Sequence, residues 1–330
     1  MLTPQEGFVK LQDKRYASKN LEFLKPVYEQ LYKGLGRHIV YEKELFKEVE
    51  VLKDFFKTAY AIKKEANLGS SDVPKFLDLL VRKNILQPIV ISLQKILSVL
   101  VAKRTNKNGL EALLWLILGC TTMESLESLR NNPTLLSERL LSTEVLTTIL
   151  NTDYLFFDIA LLNILSPFEL KDPTKRKGSF DKIIFARIAS LLGLSDSFNP
   201  TSTNWLINED GVMKIEAFPL PEGAKFPDFI CKIKDMCFIG AHKEQNQAGG
   251  AQDNQAEDAK RVFLYSEPRY KDKLKVLLKS DTIKMVIIYD SYIEGLRTGY
   301  HWQSIYEKIK QSSEHYLVNS VIFIELLKSC

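Results

Sequence analysis

From about Lys19 to Leu194 apolar residues recur at intervals of three and four, most clearly along Leu21 to Leu35 and Leu45 to Ile62. That period predicts amphipathic helices. Ser71-Asp72 with Pro74 marks one helix start and Asn108-Gly109 another. Further helical segments are expected at Ile85 to Val101, Leu110 to Cys120, Thr134 to Leu141, Tyr154 to Leu165 and Phe180 to Leu192. No fixed-period repeat is detected, so a bundle of helices is expected rather than a solenoid. Ser195 to Asn204, rich in Ser, Thr, Asn and Pro, breaks the pattern and marks a boundary. Beyond it the runs shorten: Trp205 to Asn208, Val212 to Phe218, and two runs on either side of Lys234-Asp235. These are followed by a helix from about Asp253 to Leu278, a strand at Ile283 to Tyr289, a helix at Trp302 to Ile309 and a strand at Val318 to Leu326. Strands alternating with helices imply a mixed α/β sheet. The expected organisation is an all-α helical domain over residues 1–195, for DNA binding or dimerisation, followed by an α/β domain over 196–330.

Composition sets bounds without choosing a function. At 330 residues, 45% hydrophobic and 26% charged, the chain is an ordinary globular sequence long enough for two domains. A net charge of +4 permits a nucleic-acid partner but does not argue for one. The four cysteines, at 120, 231, 237 and 330, have neither disulfide-framework density nor zinc spacing, so reduced thiols are expected. The N-terminal residues lack the apolar segment of a signal peptide and no apolar run reaches membrane-spanning length, which gives the expectation of a cytoplasmic protein without membrane association. Trp115 and Asn163 read as core residues.

The chemistry concentrates between Lys225 and Asp258. Phe226, Phe229, Ile230 and Ile233 precede a Lys-Asp turn and Met236 to Ile239 follow it, the pattern of a hairpin. Such a hairpin sets Asp228 at the outer end of one strand beside Ala241, His242 and Lys243 at the end of the other. An acid and a lysine on one sheet edge suit phosphodiester hydrolysis. Mg²⁺ takes one or two carboxylates from a protein and completes its shell with water and phosphate. A neighbouring ammonium can orient the attacking water.

Pro227-Asp228 and Lys243, one hairpin apart, resemble the motif of the PD-(D/E)xK nucleases, whose best-populated members are type II restriction endonucleases. The succession of hairpin, helix, strand, helix and strand resembles that family's common core as well. The resemblance implies a PD-(D/E)xK-like catalytic domain with a mixed central sheet, acting as a site-specific endonuclease on double-stranded DNA. Asp228 would be a metal ligand and Lys243 would serve the water. The family's second acid belongs two residues before the lysine, where Ala241 stands. Three accounts are open: an acid recruited from elsewhere, a natural loss of activity, or an engineered inactive variant. Glu216 is the first candidate for the recruited acid and second metal ligand, and Glu244 the next; Glu209 and Glu257 are further possibilities.

Gln252, Asn254 and Gln255 follow Gly249-Gly250 and open a helix. Asn and Gln pair bidentately with adenine in the major groove, so these residues, together with His242, are candidate DNA contacts. The plainer reading is a solvated polar helix start and a solvent-facing histidine. Two basic segments, Lys103 to Lys107 and Lys171 to Lys177, are read as loops; Lys175, Arg176 and Lys177 are candidate phosphate contacts before a helix capped by Ser179. A homodimer is the economical way to cut both strands of a palindromic site. The alternatives are a DNA-binding or interaction protein with a degenerate, non-cleaving nuclease domain, and a repair nuclease without restriction function.

Overall fold

Thr3 accepts a hydrogen bond from the Glu6 backbone N–H, and the Glu6 side chain accepts one in return from the Thr3 backbone. This reciprocal cap starts helix α1 (Pro4–Gln12). The computed structural model describes residues 1–35, 41–103, 123–164, 173–194, 205–208, 211–214, 218–245, 251–291 and 300–330. The expected helix at Leu110 to Cys120, the linker at Ser195 to Asn204, most of the Lys103–Lys107 segment, Trp115, Cys120, Glu209, Glu216, Gly249 and Gly250 lie outside them. The chain is a mixed α/β, mostly helical protein. Among the described residues no helix is long and apolar enough to cross a membrane.

Two units emerge, one of Met1–Val27 with Pro173–Cys330 and one of Tyr28–Asp172. The limits of these units, at 27/28 and 172/173, differ from the boundary read from the sequence at residue 195. The first 27 residues and the helix before the linker belong with the sheet: Asn20 bonds Asp290 at 3.0 Å and Asp181 lies 2.6 Å from His242, pairings across distant sequence that composition does not reveal.

The unit of residues 28–172 is helical. It contains the end of α2 (Lys14–Leu35), then α3 (Tyr41–Glu65), α4 (Val73–Arg82), α5 (Leu86–Lys103), α6 (Met123–Asn131), α7 (Pro133–Leu140), α8 (Thr143–Asn151) and α9 (Tyr154–Ile164). Its core holds Leu52, Phe56, Phe76, Leu93 and Ile159. Phe56 stacks on Phe157 at 4.1 Å between ring centroids. Glu48 is buried, with Ser92 Oγ donating to it at 2.6 Å and Lys95 Nζ at 2.9 Å, so the buried carboxylate is both neutralised and hydrogen-bonded.

In the other unit, α10 (Pro173–Leu191) precedes the sheet strands β1 (Trp205–Asn208), β2 (Gly211–Lys214), β3 (Phe229–Ile233) and β4 (Met236–Gln245). Then come α11 (Ala251–Lys260), a 3-10 turn (Arg261–Ser266), α12 (Pro268–Leu278), β5 (Thr282–Ser291), α13 (Tyr300–Lys310), β6 (His315–Val318) and α14 (Ser320–Lys328). The six strands are ordered β2-β1-β3-β4-β5-β6. The pairs β1/β2 and β3/β4 are antiparallel, and β1/β3, β4/β5 and β5/β6 are parallel. Helix α1 lies along edge strand β6, where an added Cβ on Gly7 would come 3.2 Å from Val318.

Three sequence expectations change here. Val318 to Leu326 is a strand end followed by helix α14, not a strand: the Asn319 side chain accepts from the Ile322 N–H and caps a helix apolar on nearly every side. Such a run has no period to separate helix from strand. The single helix expected from Asp253 to Leu278 is two helices with a 3-10 turn between them, and Pro268 starts the second. Helix α10 begins at Pro173, so Lys175, Arg176 and Lys177 lie within a helix rather than a loop, and Ser179 is not its cap.

Candidate active site

The hairpin forms because Lys234 adopts a left-handed φ of 51° and a two-residue turn pairs Ile233 with Met236. Register then carries Phe229 opposite Gly240. The Phe229 ring lies across that glycine so closely that a Cβ would fall 2.0 Å from its Cζ. Just before this pair, Asp228 is tied to β4 twice. Its N–H donates to the Gly240 carbonyl at 2.8 Å, and its Oδ2 accepts from the His242 N–H at 2.8 Å. The expected juxtaposition is therefore present: the Asp228 carboxylate sits on the backbone of the residue adjoining Lys243.

Successive side chains of a strand point to opposite faces, so Ala241 and Lys243 share one side of the sheet and His242 and Glu244 the other. On the first side Lys243 is only 12% exposed and its Nζ lies 3.5 Å from Asp258 Oδ2 on α11. Asp258 also accepts from Lys225 Nζ and has Arg261 Nη1 at 3.9 Å. Burial pushes its carboxyl up, but Lys225 and Lys243 outweigh that and hold it below the usual carboxylate range. Tyr289, the β5 partner of Lys243, meets Trp302 of α13 edge-on at 4.7 Å.

The second side is a closed polar cluster. His242 is fully buried, with Nδ1 2.6 Å from Asp181 Oδ1 and Nε2 3.0 Å from Asp290 Oδ2. Asp290 is fully buried too. Its Oδ1 accepts from Asn20 Nδ2 and the Ser320 N–H, both at 3.0 Å, and its Oδ2 from Ser320 Oγ at 2.5 Å. Burial opposes charge on the imidazole, yet Asp181 and Asp290 outweigh it and raise His242 to about 10. Burial likewise raises the Asp290 carboxyl, and the His242 and Ser320 hydrogen bonds more than reverse it.

The sequence-predicted residues divide accordingly. Asp228 and Lys243 are brought to one end of the hairpin. Glu244 is turned to the face opposite Lys243, so adjacency in sequence does not make it the companion acid. His242 is corrected: its ring is enclosed, with both nitrogens engaged, and no edge is left for a DNA base. Ala241 is buried beside Lys243 on the same face. Gln252 and Asn254 fall in the first turn of α11, and Gln255 follows with its Oε1 buried and unpartnered. Glu257 is half-buried and lies 3.7 Å from Lys260. Glu216 lies outside the described residues.

The acids that geometry adds are Asp258, Asp181 and Asp290. Asp290 ends the apolar run MVIIY, and Asp181 interrupts Phe180, Ile184 and Phe185; a charge within an apolar stripe was the available signal. Asp258 and Lys225 had no such signal, because their pairing joins positions 33 residues apart.

A hard divalent ion suits carboxylate donors. Asp228 bonds the His242 N–H and Asp258 pairs with Lys243, so each reaches the end of β4, and Mg²⁺ takes one or two carboxylates from a protein when phosphate and water complete its shell. Among the described residues there is no group of three or more His, Cys, Asp and Glu that could hold a metal ion. No family model, curated protein or solved structure matches this chain.

Proposed function

We propose that residues 173–330, with the N-terminal segment, form a PD-(D/E)xK-like Mg²⁺-dependent phosphodiesterase that acts on double-stranded DNA as a site-specific endonuclease. The observation that carries this reading is the pair of bonds fixing Asp228 on Gly240 and His242, one residue from Lys243. Asp258, ion-paired to Lys243 from the following helix, is the acid recruited in place of the missing one at Ala241.

Asp228 and Asp258 would hold the metal, which when bound supplies a Lewis acid for the phosphate and lowers the pKa of its water. Lys243 is mostly shielded and held by Asp258, so its ammonium is fixed where it can donate to the attacking water or to a non-bridging phosphate oxygen. Shielding from solvent strengthens that interaction relative to an exposed lysine. Lys175, Arg176 and Lys177, in the first turns of α10, and Gln252, Asn254 and Gln255, opening α11, are the proposed DNA contacts. A homodimer would cut both strands.

One observation favours a second reading, a DNA-binding protein that does not cleave: Ala241 stands where the family's acid belongs. Supercoiled plasmid incubated with Mg²⁺ or with EDTA separates the two. Discrete Mg²⁺-dependent fragments, abolished by Lys243→Ala and by Asp228→Ala, support the endonuclease. A mobility shift without cutting supports the second reading, a smear points to a non-specific repair nuclease, and cleavage at the parental rate by either variant refutes the assignment.

A further inference from the structure

The cluster behind β4 draws each of its side chains from a different element: Asn20 from α2, Asp181 from α10, His242 from β4, Asp290 from β5 and Ser320 from the head of α14. The His242 side chain points to the face opposite Lys243, and the mechanism above uses none of the cluster's side chains. It is nevertheless costly to build. A buried ionic group is commonly no more stable than a well-packed apolar replacement, and its best-attested use is to fix one arrangement among several.

What is fixed here can be read from the bonds. Both imidazole nitrogens of His242 are engaged, and Phe180 and Phe185 lie against the ring at 5.8 Å each. A ring held at both nitrogens and packed by two aromatic neighbours is confined to one rotamer, which in turn restrains the backbone of residue 242. That backbone N–H is the donor to Asp228 Oδ2. The next residue is Lys243. Asp290 is itself anchored, since its carboxylate meets the Ser320 N–H at the N-terminus of α14, where the helix dipole favours an anion.

We infer that His242 is the positioning residue of this edge: clamped from behind by Asp181 and Asp290, it aims its own N–H at the Asp228 carboxylate and sets the strand end from which Lys243 projects. Its catalytic consequence rests on the phosphodiesterase reading, whereas its effect on Asp228 does not. Reactive groups displaced by about 1 Å can lose ~100-fold in rate, so a clamp remote from the phosphate has leverage on the chemistry.

The test uses the full chain in three variants. His242→Gln removes the ring; Asp181→Ala leaves the ring but removes the acceptor for its Nδ1, and preserves the test if the first variant fails to fold. Ile305→Val, in the core of α13, is a control for general loss of stability in the same unit. Amide exchange and the scalar coupling across the His242 N–H···Asp228 hydrogen bond are measured by NMR. We expect the coupling to vanish and the His242 amide to exchange about tenfold faster or more in the first two variants, while amides of Met285 to Ile288 change by less than about twofold. Persistence of the coupling, or acceleration spread evenly over β4 and β5 as in the control, overturns the inference. If the parent cleaves DNA, kcat should fall by roughly tenfold or more in both variants with KM within about twofold. A parent that does not cleave, in variants that still lose the coupling, refutes the phosphodiesterase reading and leaves the positioning role standing.

Discussion

Gly240→Ala is the sharpest test of the hairpin geometry. An alanine Cβ would stand 2.0 Å from Phe229 Cζ and 2.1 Å from Cε1. Carbon atoms pack best at about 3.5–4.0 Å, so the ring would have to retreat by roughly 1.5 Å. Its surroundings oppose that, with Phe185 at 5.0 Å and Phe323 at 5.2 Å between ring centroids. Overpacking costs about 1–3 kcal/mol. Losing favourable contact with the two rings adds about 0.5–1.5 kcal/mol for each. The expected destabilisation is therefore about 2–6 kcal/mol, and the tie between Asp228 and β4 should weaken with it. Urea unfolding followed by tryptophan fluorescence in a Trp115→Phe background isolates the sheet-containing unit, because Trp205 and Trp302 both belong to it. Adding Phe229→Leu should recover part of the loss, with a coupling free energy above about 1 kcal/mol. An unchanged urea midpoint for Gly240→Ala, or strict additivity with Phe229→Leu, would refute the reasoning.

Three further outcomes are expected. His315 is stacked on Phe263 at 4.4 Å, and burial chiefly, with Lys308, lowers it to about 4. Its folded pKa lies below the ordinary value, so the unfolded chain binds the extra proton: stability is intact above about pH 6.5 and falls toward pH 4, by about 1–2 kcal/mol after solvent screening, a slope that His315→Gln should remove. With Asp258 as the second acid, Asp258→Asn should abolish cleavage and Ala241→Glu should lower it by adding charge beside the phosphate; a rise in initial rate on plasmid for Ala241→Glu would assign the acid to position 241 instead. Gly7→Val should cost about 1–3 kcal/mol by lifting α1 from β6, and light scattering should detect association through the uncovered edge; a monodisperse variant of parental stability would show that α1 does not guard it.

The hairpin was legible because a Lys-Asp turn separates two apolar runs, the bodies of α2, α3 and α5 because their apolar period is regular, and the start of α4 because Asp72 and Pro74 mark it. The last strand was misread because Val318 to Leu326 is apolar without period; Asn319, a helix cap, was the overlooked sign. The start of α10 was obscured by a basic run that resembles a loop. Asp228 and Lys243 could be placed because local hairpin register joins them. The companions of His242 could not, since Asn20, Asp181, Asp290 and Ser320 approach only through tertiary packing, and nothing local distinguishes a buried histidine at a strand end from an exposed one. Asp258 was invisible for the same reason, and its neighbour Glu257, also a carboxylate, faces Lys260 instead.

The interruption of the sheet-containing unit by residues 28–172 imposes an order of events on biosynthesis. Asn20 must wait for Asp290, and Lys10 for Glu325, whose carboxylate it meets at 2.8 Å. At the ribosome's pace of about 5–20 residues per second, that interval is on the order of 15–60 s. The intervening helical unit is complete well before it ends and can fold from a contiguous stretch of chain. The N-terminal segment spends that time without the strands it packs against, so the sheet-containing unit cannot close until the last of its residues has been made.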